Sequence, residues 1–164
     1  MKHLVFARHG NYDYDGDEYH INGNGREEMR NLARLILNLA KPGFYILSSP
    51  EEVAIESAKV LASTIGLRYI EESPELWSGN LAPGSANFLG NPERAHKLVD
   101  KLRDKANTLI LVSHLELAEQ YPRYFLENEM KLENINGVLE PKKGEAVYFD
   151  LENKKYQIIP ERRK

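Results

Sequence analysis

Arg8, His9 and His114 stand directly after two apolar segments of the chain. The segment 4–7 leads straight into Arg8 and His9, and the segment 108–112 leads through one serine to His114. Apolar runs of this length are typical of strands buried in a parallel sheet, and such sheets bind ligands at the carboxyl ends of their strands. One guanidinium and two imidazoles are therefore expected at one sheet edge, in an arrangement suited to a phosphate group.

These three side chains have complementary chemistry toward phosphorus. A neutral imidazole is a nucleophile near neutral pH when an acceptor holds its other ring nitrogen, so His9 would form a covalent phosphohistidine that water then releases. The planar guanidinium of Arg8 matches two phosphate oxygens and keeps its charge. His114 would donate to a third oxygen as negative charge builds up in the transition state.

Each of these residues also has an ordinary structural explanation. A strand that ends in Arg-His is often only a solvated strand end, Gly10 suits a turn, and His114 suits the start of a helix. Ser49 and Pro50 are explained as the cap and the first residue of a helix. The joint pattern of strand-Arg-His-Gly and strand-Ser-His is what favours a functional site.

The composition narrows the class of protein. A length of 164 residues fits one domain, and the absence of cysteine excludes thiol chemistry, disulfides and thiolate metal sites. A net charge of −3 argues against nucleic acid as a partner. The first residues read neither as a secretory signal nor as a membrane span. We therefore expect one domain over residues 1–164, in a cytoplasmic protein that engages no nucleic acid and no membrane.

Strand and helix patterns alternate along the chain and predict an α/β fold, a three-layer α/β/α sandwich with a mainly parallel sheet. The predicted strands are 4–7, 44–47, 67–70 and 108–112, with an antiparallel C-terminal hairpin formed by 146–150 and 156–159. The predicted helices are 26–40, 50–64, one that opens at Asn91-Pro92, and 115–128, which Pro122 bends or ends early. A polar loop is predicted for 11–24 and a long irregular stretch for 71–90.

Four short segments, taken in order, are similar to the motifs of the histidine phosphatase superfamily, the phosphoglycerate-mutase-like enzymes. They are Arg8-His9-Gly10, the glycine-led helix opening 25–29, the turn Ser48-Ser49-Pro50 and the segment Val112-Ser113-His114. Within that superfamily the chain most resembles the SixA-type phosphohistidine phosphatases. The features that carry this closer resemblance are the short chain, Ser113-His114-Leu115, Pro74-Glu75-Leu76 and the terminal hairpin.

The resemblance implies a site without cofactor or metal, in which His9 accepts the phosphoryl group and Arg8 and His114 bind it. The implied substrate is a phosphorylated protein or a small phosphate ester. The neighbours of the two histidines are the candidate substrate-binding residues: Gly10, Asn11, Ser113 and Leu115.

One position departs from the pattern of the superfamily. Val53 stands where these enzymes normally place a second arginine, in the first turn after the serine-proline step. A charge-assisted hydrogen bond contributes about 1.5–3 kcal/mol, so losing a bidentate pair costs about two to four powers of ten unless another group replaces it. Three glutamates crowd the same helix start and repel a phosphate dianion: Glu51, Glu52 and Glu56. The candidates to replace the arginine are Arg26, His20, Lys41 and Arg123.

The predicted function is a phosphatase that hydrolyses a phosphohistidine protein or a small phosphomonoester through a phosphohistidine intermediate on His9. Phosphohistidine is the easier substrate because its imidazole leaves protonated, whereas an alkyl phosphate needs a general acid. Glu75 is the candidate acid, or else a solvated loop residue. The alternative function is that of a pseudoenzyme, which keeps the fold and serves as a phosphate-binding or scaffolding module. Val53 favours this alternative.

Three further features allow more than one interpretation. Asp13, Asp15 and Asp17 alternate as in a calcium loop, but Glu18 stands where that loop needs glycine, so we expect a solvated acidic loop near the site. Trp77 either lines the site or covers the core, and core cover is favoured. The basic end 162–164 is too short to indicate nucleic-acid binding.

Overall fold

A six-stranded sheet forms the centre of the structure, a computed structural model that describes residues 1–77, 91–132, 135 and 139–161. Its strands are β1 (His3–Arg8), β4 (Phe44–Ser48), β5 (Glu71–Glu72), β6 (Thr108–Ser113), β7 (Ala146–Asp150) and β8 (Lys155–Ile159), and β2 (Tyr12–Tyr14) and β3 (Tyr19–Ile21) form a separate hairpin. The sheet order is β5-β4-β6-β1-β7-β8. The first four strands of that order are parallel, whereas β7 and β8 pair antiparallel.

Two pairs of helices cover the two faces of the sheet. The helices are α1 (Gly23–Leu39), α2 (Glu52–Ile65), α3 (Pro92–Leu102) and α4 (Leu115–Asn128). Because side chains of a strand alternate between the faces of a sheet, β1 contributes to both cores. Val5 and Ala7 pack in the core formed with α1 and α2, while Leu4 and Phe6 pack in the core formed with α3 and α4. The predicted three-layer α/β/α sandwich, with its antiparallel C-terminal hairpin, is confirmed.

The two strands that lead to the histidines are neighbours at the centre of this sheet. β1 and β6 are paired in parallel, with Arg8 opposite Ser113 in the register. All six residues of β6 are buried, which agrees with the continuous apolar run of a central parallel strand. Neighbouring parallel strands end at the same edge, so the chain delivers His9 and His114 side by side.

The hairpin of β2 and β3 was not predicted. It occupies much of the segment 11–24, for which the sequence indicated a polar loop. Strands of three residues are too short to produce a clear alternation, and one of them contains an aspartate. The carboxylate of Asp15 accepts hydrogen bonds from the backbone N–H groups of Asp17 and Glu18, both at 3.0 Å, so the acidic residues build the turn of this hairpin.

The helix starts differ from the predictions for local reasons. α1 begins ahead of residue 26 because the side chain of Asn22 caps it, accepting from the Gly25 N–H at 3.0 Å. α2 begins at Glu52 with Glu51 as its N-cap, so the prediction that Ser49 caps this helix is wrong. α3 starts as predicted, with the Asn91 side chain accepting from the N–H of Arg94 at 2.9 Å.

α4 spans Leu115–Asn128 as predicted and continues through Pro122, so the proline does not end the helix early. One further prediction needs correction. The third predicted strand, 67–70, is displaced to the two residues of β5. Within the irregular stretch 71–90, Pro74–Leu76 form a short 3₁₀ helix, and residues 78–90 lie outside the described residues, as does the basic end 162–164. Among the helices of the described residues, none is long and apolar enough to cross a membrane.

Candidate active site

His9 and His114 face each other at the carboxyl edge of the sheet. The backbone N–H of His9 donates to the carbonyl of Ser113 at 3.0 Å, which continues the pairing of β1 with β6 one residue further. The centroids of the two imidazole rings lie 5.3 Å apart. The two chain segments that the sequence singled out therefore converge on one site.

The ring of His9 is held in one orientation by its own loop. The side chain is only 6% exposed, and Nδ1 lies 2.9 Å from the carbonyl oxygen of Gly10. A carbonyl can only accept, so Nδ1 carries the proton and donates it, and Nε2 keeps a free lone pair. Burial lowers the pKa of His9 to about 4, and the positive charges of Arg8 and Lys143 act in the same direction. His9 is therefore a neutral, oriented imidazole at neutral pH.

His114 is held by a residue of the neighbouring strand's loop. Its Nε2 lies 2.9 Å from the hydroxyl oxygen of Ser49, and the edge of the Trp77 ring packs against it at a centroid distance of 5.2 Å. Burial, together with the nearby His9 and Arg8, lowers the pKa of His114 to about 3. Two neutral imidazoles and one guanidinium therefore meet at this edge.

A cavity of about 260 Å³ opens between these side chains. Its lining residues are Arg8, His9, Tyr12, Tyr19, Glu51, Val53, Trp77, His114, Leu115 and Glu116. Arg8 is partly buried, its Nη1 lies 3.5 Å from the carbonyl of Pro141, and its Nε has no hydrogen-bond partner among the described residues. A partly buried guanidinium with an unused donor, beside two imidazoles, is suited to an oxyanion.

Solved structures of phosphatases share this architecture. The chain aligns with the histidine phosphatase SixA complexed with tungstate at a TM-score of 0.67 and 16% identity, covering 95% of this chain and 93% of that one. A protein from Agrobacterium tumefaciens assigned to the SixA phosphohistidine phosphatases gives 0.66 and 13%, with 96% and 95% covered. A mycobacterial glucosyl-3-phosphoglycerate phosphatase in complex with VO3 gives 0.65 and 19%, with 100% of both chains covered. The chain has the histidine phosphatase fold.

No protein-family profile matches the sequence, and no curated protein matches it significantly. The likeness to the histidine phosphatases is thus carried by the fold. Val53, where the superfamily's pattern has a second arginine, lines the cavity with its side chain 5% exposed. The wall of the cavity at α2 is therefore apolar.

Two residues of the site, Ser49 and Trp77, make contacts other than those favoured from the sequence. Ser49 does not cap α2 but lies against His114, so the explanation by capping alone is wrong. Trp77 lines the cavity, whereas core cover had been favoured. No local signal marked either residue, because both contacts join segments that are distant in the sequence.

The carboxylates of the site differ from those predicted. Glu75 does not line the cavity; it accepts from the hydroxyl of Ser73 at 2.5 Å, and this bond lowers its pKa, the opposite of what a general acid needs. Glu51 and Glu116 do line the cavity. Burial raises the pKa of Glu51, and the negative charge of Glu18 raises it further.

The four candidate substrate-binding residues divide into one that lines the cavity and three that support it. Leu115 lines the cavity. The Gly10 N–H donates to the Ser57 hydroxyl at 3.1 Å, the Asn11 N–H donates to Glu28 at 2.9 Å, and the Ser113 hydroxyl donates to the Leu76 carbonyl at 2.6 Å. Gly10 also touches the backbone of α1, since a Cβ placed on it would lie 2.7 Å from the carbonyl oxygen of Gly25.

None of the four cations considered as replacements for the missing arginine lines the cavity. Each lies beside a carboxylate instead: Arg26 beside Glu56, His20 beside Asp15 and Glu56, Lys41 beside Glu152, and Arg123 beside Glu127. Lys143, whose charge reaches His9, was not among the predicted site residues. No motif marks this lysine, because the pairing of β7 with β1 brings it to the site.

Two groups of side chains have the chemistry of metal ligands. In the described residues, potential ligand atoms lie within 4.8 Å of one another in His20, Glu52 and Glu56, and again in His96, Asp100 and Glu129. In the first group the Arg26 guanidinium lies 3.4 Å from Glu56 and already neutralises part of its charge. Neither group includes His9 or His114.

The low pKa values of His9 and His114 make the fold sensitive to acid. Unfolded histidines take up protons near pH 6.5, whereas these two do so only near 4 and 3 in the folded protein. Between about pH 6.5 and 4 the unfolded chain thus binds more protons, and the free energy of unfolding falls as the pH falls through this window.

Replacing one of the pair should flatten this dependence. We expect His114→Gln to lose about 2 kcal/mol less than the original chain between pH 7 and pH 4.5, measured by urea unfolding. Lys142→Gln, at an exposed position, is the control and should keep the original slope. Equal slopes for His114→Gln and the original chain would contradict the assignment of a neutral, partly buried imidazole.

Proposed function

We propose that this chain is a phosphatase that removes the phosphoryl group of phosphohistidine in a protein, through a covalent intermediate on His9. The observation that carries the proposal is the pair of facing imidazoles, in which His9 has Nδ1 tied to a carbonyl and Nε2 free. The fold shared with SixA, solved with tungstate, supports it. The proposal includes a single domain over residues 1–164 and a cytoplasmic location.

In the first proposed step, Nε2 of His9 attacks phosphorus and the P–N bond of the substrate breaks. The substrate imidazole leaves with a proton on the nitrogen that held phosphorus. The ring of phosphorylated His9 keeps its Nδ1–H, which continues to donate to the Gly10 carbonyl. In the second step water attacks the same phosphorus, the P–N bond to His9 breaks, and phosphate departs with the proton lost by the water. His9 is then neutral again.

Arg8 and His114 stabilise the charge that the phosphoryl group carries between these steps. The guanidinium supplies fixed positive charge from the wall of the cavity. In this proposal the Ser49 hydroxyl, 2.9 Å from Nε2 of His114, donates to that nitrogen, so the neutral ring carries its N–H on Nδ1 and donates it to an equatorial oxygen. A preorganised donor of this kind acts without reorganisation during the reaction.

Glu51 and Glu116 favour phosphohistidine over a phosphomonoester. The negative charge of Glu116 disfavours a phosphate dianion, but it stabilises the positive charge that develops on the departing imidazole as that ring is protonated. Glu51, with its raised pKa, is the proposed source of the proton in place of Glu75. An alkyl ester has a much poorer leaving group and depends more strongly on a well-placed acid.

The choice of substrate is tested with one peptide carrying either phosphohistidine or phosphoserine. We expect kcat/KM for the phosphohistidine peptide to exceed that for the phosphoserine peptide by about 100-fold or more, the usual contribution of general acid catalysis. Phosphate release without protein, measured in parallel, corrects for spontaneous hydrolysis. A higher rate with phosphoserine would overturn the choice of substrate but not the phosphatase.

The covalent intermediate is tested by labelling. Incubation with a peptide carrying labelled phosphohistidine, quenched in alkali, is expected to leave label on the chain that is stable to alkali and released by acid. Label stable to acid, or transfer to the protein without subsequent release, would overturn the proposed hydrolysis through His9.

A pseudoenzyme is the second candidate, and the apolar wall at Val53 is the observation that favours it. A module of this kind would bind an oxyanion in the cavity and release no phosphate. Tungstate binding to a chain that shows no turnover and no labelling would decide for this alternative.

Ser49 is proposed to be a positioning residue for His114. We expect Ser49→Ala to lower kcat about fivefold with little change in KM, because one neutral hydrogen bond contributes about 1 kcal/mol. Ser49→Thr retains the hydroxyl and should restore most of the rate. The NMR signals of the His114 ring should shift in Ser49→Ala and recover in Ser49→Thr. An unchanged kcat in Ser49→Ala would remove this role.

A further inference from the structure

The phosphate site lacks a cation on its α2 side. Among the described residues that line the cavity, Arg8 is the one permanently charged cation, and it shares the cavity with Glu51 and Glu116. Val53 offers a tetrahedral anion no hydrogen bond. A site that binds a phosphoryl group with two charges therefore needs positive charge from another part of the fold.

The turn before β7 lies directly against the backbone of the nucleophile. The Gly144 N–H donates to the carbonyl of His9 at 3.0 Å, and the Arg8 N–H donates to the carbonyl of Glu145 at 3.0 Å. Gly144 has φ +73°, and a Cβ on it would lie 2.5 Å from the Cβ of Glu28, so only glycine suits this position. The residue before Gly144 is therefore held beside the site by the main chain.

That residue is Lys143, and its ammonium group lies over an aromatic ring of the cavity. Nζ is 3.9 Å from the ring centroid of Tyr12, and this ring is 5.3 Å from the ring of His9. Among the described residues, no carboxylate lies within ion-pair distance of Lys143. Its charge adds to the effect of burial on the pKa of His9, which places it within electrostatic range of the nucleophile.

We propose that Lys143 is the second phosphate-binding cation of this site, taking from the β7 side the role of the arginine absent at Val53. This inference rests on the proposed phosphatase function. In this structure the ammonium rests on the face of Tyr12, a cation–π contact worth about 0.5–1 kcal/mol at an exposed position. A charge-assisted hydrogen bond to a phosphate oxygen is stronger, at about 1.5–3 kcal/mol, so an oxyanion draws the ammonium from the ring into the cavity.

A lysine suits this position better than an arginine would. Its charge is compact and sits on a flexible four-carbon stem, so it can leave the Tyr12 ring and follow the phosphoryl group from substrate to His9. The aromatic ring holds the charge near the site without neutralising it. An ion pair with a carboxylate, such as Lys41 makes with Glu152, would have to break first.

Tungstate binding tests the proposal without requiring turnover. Trp77 is the only tryptophan of the chain and lines the cavity, so its fluorescence reports an anion bound there. We expect Lys143→Gln to weaken tungstate binding at least about tenfold. The matched control is Lys142→Gln, which removes the same charge from the neighbouring exposed residue and should leave the affinity unchanged.

A double variant distinguishes a phosphate cation from a general charge effect. Val53→Arg in the Lys143→Gln background is expected to restore tungstate affinity, because the guanidinium then enters from α2. Lys143→Arg keeps the positive charge and should therefore retain at least part of the tungstate affinity. Equal loss of affinity in Lys142→Gln and Lys143→Gln would overturn the proposal.

Failure of this inference and failure of the proposed function give different results. Unchanged tungstate affinity in Lys143→Gln, with turnover in the original chain, overturns the role of Lys143 alone. Tungstate binding that depends on Lys143, with no phosphate release from phosphohistidine, overturns the enzyme and leaves the cation in place. No tungstate binding by the original chain overturns both.

Discussion

Phosphate release from a phosphohistidine peptide is expected to fall by at least about a thousandfold when His9 is replaced by alanine, because a two-step reaction loses its nucleophile. The variant should also take up no alkali-stable label. Its cavity keeps Arg8 and His114, so tungstate binding is expected to persist with reduced affinity. Lost phosphate release together with retained tungstate binding would show that His9→Ala removes the nucleophile and leaves the binding site intact.

The matched control for His9 is another partly buried histidine of the same chain. His96 packs against Tyr121 between α3 and α4 and does not line the cavity. His96→Gln is expected to release phosphate at close to the original rate. Equal turnover by His9→Ala and the original chain would end the proposal of a phosphohistidine on His9.

The second large effect is expected at His114. His114→Ala should lower kcat about 100-fold, since it removes a preorganised donor to the transition state. KM should change less than kcat, because the guanidinium of Arg8 still binds the ground state. Steady-state kinetics on a phosphohistidine peptide provide the measurement.

His114→Ala also tests whether His9 acts as the nucleophile and His114 as the donor to the transition state. The variant should still become labelled on His9, but more slowly, which rapid-quench experiments detect. Its circular dichroism spectrum should match that of the original chain, so that lost activity is not lost folding. A loss of kcat smaller than about threefold would show that His114 does not act as the donor that we propose.

The fold was largely predictable because its central strands, β1 and β6, are buried on both faces. Residues 4–7 and 108–112 are continuous apolar runs, and each became a central parallel strand. The helix predicted to open at Asn91-Pro92 likewise became α3, which buries Ala95, Val99 and Leu102. Short-range periodicity is a reliable signal when one element buries many apolar side chains.

The details of the site were less predictable, because they depend on contacts between distant segments. A serine before a proline resembles a helix cap in isolation, and only the pairing of β4 with β6 places Ser49 against His114. The same holds for Lys143, which reaches His9 only because β7 pairs antiparallel with β1. His9, Arg8 and His114 were recognisable because strand ends and chemistry coincide in them. The single-domain organisation stays a prediction.

The contact of Gly10 with Gly25 makes two properties of the site independent of each other. One is the orientation of His9, and the other is the selection of the substrate. The loop of His9 rests on backbone, because Gly10 lies against the main chain of Gly25 and Nδ1 of His9 lies 2.9 Å from the Gly10 carbonyl oxygen. Tyr19, Trp77 and Glu116 line the cavity and take no part in this backbone contact. Replacing these three side chains should therefore change which phosphorylated molecules bind in the cavity, while the orientation of the His9 ring stays the same.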